Sequence, residues 1–354
     1  MKSTLVSAAC AATVAAGAAH AGGIERRGDP SQILFEEGNQ YLEFSVVHVA
    51  PNVSGTNTTP FPVGPTGNIT ESYQNWAFGY KHELNDKITL AFVLDEPVGA
   101  DVTYDTAGAF FAGSSASVDS IAATALMKYQ FTDRISAYGG LKLQGLSGAI
   151  TVQSVAGTAP NPYTLNVDKD YQLGYLVGAA YEVPEIAMRV ALTYESEIEH
   201  EFRDNTGAPF KVKTPQSVTL HAQSGIAANT LLFGSIRWRE WTEFAVSPSD
   251  FAPAPIASGT SDVWTYTLGV GRKFSDKWSG AFSLGYEKDN GDVVGNLSGT
   301  DGYWSYGVAA IYQGEGYKIT TGVRYIDIGS ANTSVASFSD NDAVAVGMKV
   351  GWTF

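Results

Sequence analysis

The chain has 354 residues, 44% of them hydrophobic and 16% charged, with a formal net charge of −14 at pH 7. That balance excludes nucleic acid as a partner, because gripping a phosphate backbone needs a basic surface. The single cysteine, Cys10, excludes a disulfide framework and a thiolate metal site.

The chain opens on Lys2, followed by an apolar and small-residue run from Leu5 to Ala19 and then Ala19-His20-Ala21. A short basic region, a hydrophobic region and an A-x-A site read as a secretory signal peptide over residues 1–21, cleaved after Ala21. The run is too short for a membrane helix. Cys10 leaves with it, so the mature chain carries no cysteine. Residues 22–40 do not alternate. Asp29-Pro30 is a helix-start signal, and Ile33, Leu34 and Phe35 form an apolar cluster that needs a cover. This stretch is expected to fold, as a plug, into the interior of the structure formed by residues 41–354.

From residue 41 to 354 the pattern changes to strict alternation. It predicts strands at Tyr41–Val49, Asn75–Glu83, Ile88–Asp95, Ser117–Phe131, Ile135–Val152, Leu165–Val183, Ala187–Glu199, Gln216–Ser224, Thr230–Trp241, Val263–Phe274, Trp278–Glu287, Tyr303–Tyr312, Tyr317–Ile326 and Asp342–Phe354. The last is the clearest. Val344, Val346, Met348, Val350, Trp352 and Phe354 share one parity, and Ala343, Ala345, Gly347, Lys349, Gly351 and Thr353 the other. Successive side chains point to opposite faces of a strand, so one face is greasy and the other is not. Lipid covers such a face in a transmembrane barrel. The expected fold class is all-β: a transmembrane antiparallel β-barrel of about fourteen strands, an even number as single-chain bacterial barrels require.

Connections alternate in length. Short turns fall at residues 84–87, 132–134, 184–186, 225–229, 275–277 and 313–316; long Gly/Pro/Asn-rich loops fill the other rim. With both termini on the turn side, the turns face the periplasm. Three turns nearly repeat one another: Leu84-Asn-Asp-Lys-Ile88, Phe131-Thr-Asp-Arg-Ile135 and Phe274-Ser-Asp-Lys-Trp278. Their aspartates are expected to cap backbone N–H groups, and their flanking aromatics to sit at the lipid interface.

The chain resembles the FadL-type family of outer-membrane transporters for long-chain fatty acids and aromatic hydrocarbons. Three features carry the resemblance. A non-barrel segment with a turn at Asp29-Pro30-Ser31, where the family has Asn-Pro-Ala, precedes the strand Tyr41 to Ala50 and its Pro51-Asn-Val-Ser-Gly55 ending. The third strand, from Ala91, runs into Pro97-Val98-Gly99-Ala100-Asp101-Val-Thr-Tyr104. The strand count matches. The segment ahead of the first strand is shorter than in the fatty-acid transporters. The resemblance implies a passive conduit without cofactor: a hydrophobic small-molecule ligand enters among the outer loops and leaves sideways into lipid through a kink at Pro97, Val98 and Gly99. It also implies contact with lipopolysaccharide, and delivery by the barrel-assembly machinery reading the strand that ends in Phe354.

No nucleophile elbow, zinc-protease helix, phosphate loop or dinucleotide fingerprint is present. His48, His82, His200 and His221 lack metal-ligand spacing. Glu195, Glu197, Glu199 and Glu201 alternate on one face, where they can hold Ca²⁺ or simply line a solvated strand end. Arg237 and Arg239 share a face and are candidates for a ligand carboxylate, or for pairing with lumen carboxylates. Other readings are a general porin, which needs a constriction loop with opposed charge rows; an outer-membrane hydrolase, which needs a Ser/His or Asp/His pair at one rim; and a purely structural barrel.

Overall fold

The computed structural model describes residues 24–58, 64–105, 111–153, 162–251, 254–291 and 293–354. The expected signal peptide, with Cys10 and the Ala21 cleavage site, lies outside them.

The barrel strands are β1 (Gln40–Asn52), β2 (Tyr73–Asn85), β3 (Ile88–Asp95), β4 (Gly99–Thr103), β5 (Ser115–Gln130), β6 (Ile135–Val152), β7 (Tyr163–Val183) and β8 (Met188–Glu195). They continue as β9 (Ser217–Ala227), β10 (Thr230–Arg239), β11 (Val263–Lys273), β12 (Trp278–Glu287), β13 (Tyr303–Gln313), β14 (Tyr317–Ile328) and β15 (Asn341–Thr353). Each pairs antiparallel with its neighbours, and β15 pairs with β1 from Tyr41↔Thr353 to Asn52↔Asp342, which closes the wall. β3 and β4 are two arms of one broken strand, both paired to β5, so the 15-stranded sheet is a fourteen-stranded closed barrel.

Burial is inside out. On β7, Leu173 is 68% exposed while Leu176 is 1% exposed; on β15, Met348 is 44% exposed and Lys349 5%. Outward positions are Leu, Val, Tyr, Trp and Phe. Inward positions include Lys81, Thr124, Gln144, Thr193, Arg237, Ser283, Arg324 and Lys349, all buried. Water cannot be the outer solvent for such a surface, since exposing large apolar side chains costs about 25 cal/mol per Å². Lipid is the solvent that fits.

The turn rim carries Leu84, Phe131, Ile135, Phe274 and Trp278, all exposed, in the girdle the repeats suggested. The capping residue differs from expectation. Asn85, Thr132 and Ser275, the first residue of each polar triplet, accept the backbone N–H bonds; Asp276 instead bonds Lys273. The first position is the one from which a short side chain reaches an N–H two or three residues on.

On the other rim the loops carry structure of their own. The expected seventh strand stops at Glu195, and a separate hairpin, Ile198–Arg203 with Pro209–Thr214, rises from it. Segments 54–57, 65–68, 331–332 and 336–338 build a four-stranded sheet over the barrel mouth. The four glutamates therefore part company. Glu195 faces the lumen beside Lys142 and Arg237, whereas Glu199 pairs with Lys211 and Glu197 with Lys213 on the exposed hairpin. No group of metal-binding side chains forms among the described residues.

Candidate functional site in a break of the barrel wall

The third strand fails at Glu96-Pro97-Val98. Along β5 the register runs Asp95↔Ala122, then Gly99↔Asp119, so four steps on the broken strand oppose three on its neighbour: one extra residue. Proline has no N–H to offer a ladder, and an inserted residue bends the strand away. Ser120 patches the β5 side, its hydroxyl accepting from the Val98 N–H at 2.8 Å and donating to the Val98 carbonyl.

The β2 side is different. β2 follows β3 only as far as Ala77↔Asp95. Beyond that, Asn75 Nδ2 donates to the Glu96 carbonyl at 2.8 Å, and the Trp76 N–H to the Glu96 carboxylate at 3.2 Å. β4 pairs with β5 and not with β2. Its outer reach turns instead to the loop ahead of β2, through a bridge between Thr70 and Val102.

The N-terminal segment takes the place of the missing neighbour. Glu25 and Val98 form an antiparallel bridge; the Arg26 N–H donates to the Pro97 carbonyl at 2.9 Å, and the Gly99 N–H donates to the Ile24 carbonyl at 2.8 Å. An unpaired buried backbone group costs about 1–3 kcal/mol, so these two bonds decide whether the break is tolerable. Gly99 is glycine for a steric reason: a Cβ there would lie 2.3 Å from the Arg26 guanidinium carbon. That guanidinium is pinned to Asp101 at 2.7 Å and lies over the Tyr73 ring at 4.1 Å.

The segment is fastened from within. Arg237 and Arg239, the two candidates for a ligand headgroup, both grip Glu25, at 2.6 and 2.8 Å. Of the two readings left open by sequence, their present contacts are those of pairing with a lumen carboxylate. Asp29 caps a short 3₁₀ helix, Pro30–Phe35, accepting from the Ser31 N–H at 2.8 Å. Its carboxylate also meets His221 at 3.4 Å and the Thr193 hydroxyl at 2.8 Å. Burial alone would raise the Asp29 carboxyl, but His221 and Ser31 outweigh it and hold the group well below the usual carboxylate range. Pro30 sits in the first helical turn, where its missing N–H is no loss. Ile33, Leu34 and Phe35 find the cover they need on an inward apolar patch with Val93, Leu126, Tyr138 and Leu176. Phe35 meets Tyr138 edge-on at 5.6 Å. Glu36 accepts Lys318 at 3.0 Å and Lys349 at 3.1 Å.

Two spaces adjoin the break on the loop side. One is a small pocket of about 50 Å³ lined by Ile24, Val98, Leu146, Phe202, Phe210 and Phe244 among others, almost wholly apolar. The other, about 220 Å³, lies over the segment beneath the loops, with Tyr73, Val102, Trp241 and Leu297 in its walls. Sequence reasoning found Pro97-Val98-Gly99 and the helix signal. It missed Ile24, Glu25, Ser120 and the hairpin phenylalanines, since no local pattern announces a partner strand of three residues.

A family model described as outer membrane protein transport protein (OMPP1/FadL/TodX) matches residues 7–289. Among solved structures, a Pseudomonas aeruginosa FadL homologue is similar with a TM-score of 0.75 and 12% identity, covering 92% of this chain and 93% of that one. The Pseudomonas putida toluene transporter TodX has a TM-score of 0.65 at 12% identity, covering 92% of each chain. The Ralstonia pickettii toluene transporter TbuX has a TM-score of 0.64 at 11% identity, again covering 92% of each. No curated protein sequence matches. At such identities the structures speak for the fold alone, and the family model speaks for kinship: this chain belongs to the outer-membrane transport proteins of the FadL/TodX family, β-barrel channels of Gram-negative outer membranes for hydrophobic substrates.

Proposed function

We propose that this protein takes up small hydrophobic molecules, long-chain fatty acids or aromatic hydrocarbons, passively and without a cofactor, and releases them sideways through the wall at Pro97, Val98 and Gly99. The observation that carries the reading is the break itself, where two residues of the wall, Pro97 and Gly99, depend on a non-barrel segment for hydrogen bonds. An apolar pocket touches those same residues through Ile24 and Val98. A ligand leaving there enters lipid without crossing the polar lumen, which suits a solute whose transfer to water is unfavourable.

In this reading residues 22–40 are the plug, held by Asp29, Pro30, Ile33, Leu34 and Phe35. Both termini lie on the periplasmic side, the loops face lipopolysaccharide, and the strand ending in Phe354 is what the barrel-assembly machinery reads. A general porin fits less well, because residues 24–36 cross the lumen and bond to inward side chains of several strands.

The test is uptake of labelled dodecanoate and of labelled toluene by cells with and without the protein. Uptake of either above the deletion background supports transport, and the favoured one names the class. Equal uptake of both in the two strains rejects it. Replacing Pro97 and Gly99 by threonine and valine to restore a regular strand is expected to abolish uptake while the barrel still assembles, as judged by its heat-shifted mobility on a gel. Unchanged uptake in that variant removes the side exit.

A further inference from the structure

The lumen holds a further cavity of about 190 Å³ on the turn side of the N-terminal segment, and charged side chains stand in its walls: Arg27, Asp29, Arg189, His221, Arg324 and Lys349 are among them. Most charges there are matched. Asp29 meets His221, Arg237 meets Glu25 and Glu195, and Lys349 meets Glu36 and Glu43. Arg189 lies over the Phe35 ring and donates to Gln32.

Arg324 is the exception. It stands on β14, only 2% exposed, and among the described residues no carboxylate lies within ion-pair distance of it. Its Nε and Nη2 are buried with no hydrogen-bond partner among those residues. Those two nitrogens form one edge of the guanidinium, the edge that offers two parallel N–H donors to a carboxylate or phosphate. A guanidinium does not shed its proton at any ordinary pH, so its charge in a wall of β-structure calls for a counter-charge.

Across the neighbouring strand a hydroxyl is brought to it. Gly307 on β13 stands opposite Arg324 in the ladder. A Cβ at that position would sit 2.7 Å from the Ser283 hydroxyl and 3.5 Å from Arg324 Nε. With glycine there, the Ser283 hydroxyl and the Arg324 guanidinium both reach over position 307. Two guanidinium donors and the Ser283 hydroxyl thus converge on ground that any larger residue at 307 would occupy.

We infer that Arg324 and Ser283 form an oxyanion site in the barrel wall, taking a carboxylate or a phosphate-type group on the Nε–Nη2 edge. The site is separate from the wall break and does not depend on the side exit. Its oxyanion has two possible sources: a free anion from the aqueous side, or the head of a long-chain acid that has entered the lumen.

Calorimetric titration of the detergent-purified protein with acetate, inorganic phosphate and dodecanoate separates them, using wild type, Arg324→Gln and Arg324→Lys. Saturable binding of acetate or phosphate that weakens at least about tenfold in the glutamine variant, with the lysine variant between, supports a site for free anions. The same loss confined to dodecanoate supports a site for an acid headgroup. Absence of saturable binding of all three to wild type, or equal binding by the glutamine variant, overturns the inference. A crystal of the unaltered protein soaked in selenate gives a reading that no folding defect can obscure. An anomalous peak beside Arg324 supports the site, and its absence at saturating selenate, together with dodecanoate binding unchanged in the glutamine variant, overturns it.

Discussion

Glu25 is one carboxylate set between two guanidiniums, and the sequence shows only half of that arrangement. Arg237 and Arg239 are legible as same-face residues of a strand, because a period of two is local. Their partner lies more than two hundred residues earlier, in a stretch with no period at all. Long-range pairing of this kind leaves no trace in spacing, which is why sequence could point to a lumen carboxylate as partner without naming Glu25. Glu37 offers a direct measurement at the same scale. Burial pushes its carboxyl up to about 7; Lys318 and Lys81 oppose the rise and Glu36 adds to it. A carboxyl whose folded value stands above its unfolded one favours folding at low pH, and that contribution is lost as pH rises through about 7. Glu37→Gln should therefore melt higher than wild type at about pH 8 and alongside it at about pH 4, by thermal unfolding in detergent. Equal melting at both pH values contradicts the assigned burial.

Among elements, the bridge between the N-terminal segment and the broken strand admits a reversible test. Glu25 and Val98 lie opposite each other with the hydrogen bonds made by their flanking residues, the arrangement in which paired side chains approach most closely. The expected mature chain has no cysteine of its own, so Glu25→Cys with Val98→Cys introduces one pair at disulfide-compatible spacing. If ligand leaves where this segment must withdraw, oxidation should reduce hydrophobic uptake to the deletion background and reduction should restore it. Uptake indifferent to redox state tells against exit at this place. The hairpin Ile198–Arg203 with Pro209–Thr214 supplies another test, because Phe202 and Phe210 wall the apolar pocket. Truncating both to alanine removes about 3 kcal/mol or more of packing at each, by analogy with buried phenylalanines generally. Uptake should fall while gel mobility still reports a closed barrel. This hairpin was hidden in the sequence inside an overlong strand, since alternation carries on from Glu195 to Glu201 although the backbone leaves the barrel at Glu195.

At the scale of the whole molecule, the fold was the easiest part to read. Half of every strand faces acyl chains, and that demand writes itself into each segment independently, so fourteen weak signals add up. The outward band of Leu141, Leu173, Tyr175, Leu268, Val308 and Met348 predicts that purified protein stays monodisperse only with detergent or lipid, which light scattering on detergent removal checks. Monodispersity in plain buffer would contradict the barrel's exterior. The terminal strand predicts more: deleting Phe354, which is 71% exposed, should lower the amount of protein reaching the outer membrane, measured by fractionation, without altering the barrel strands of the protein that does arrive.

The pairing of β15 with β1 has a bearing on biogenesis. Because β1 and β15 meet along twelve residue pairs, the wall cannot be completed until β15 has been made. Until then the outward hydrophobic half of every earlier strand has no closed wall to belong to. A chain interrupted before β15 has no cylinder to fall back on.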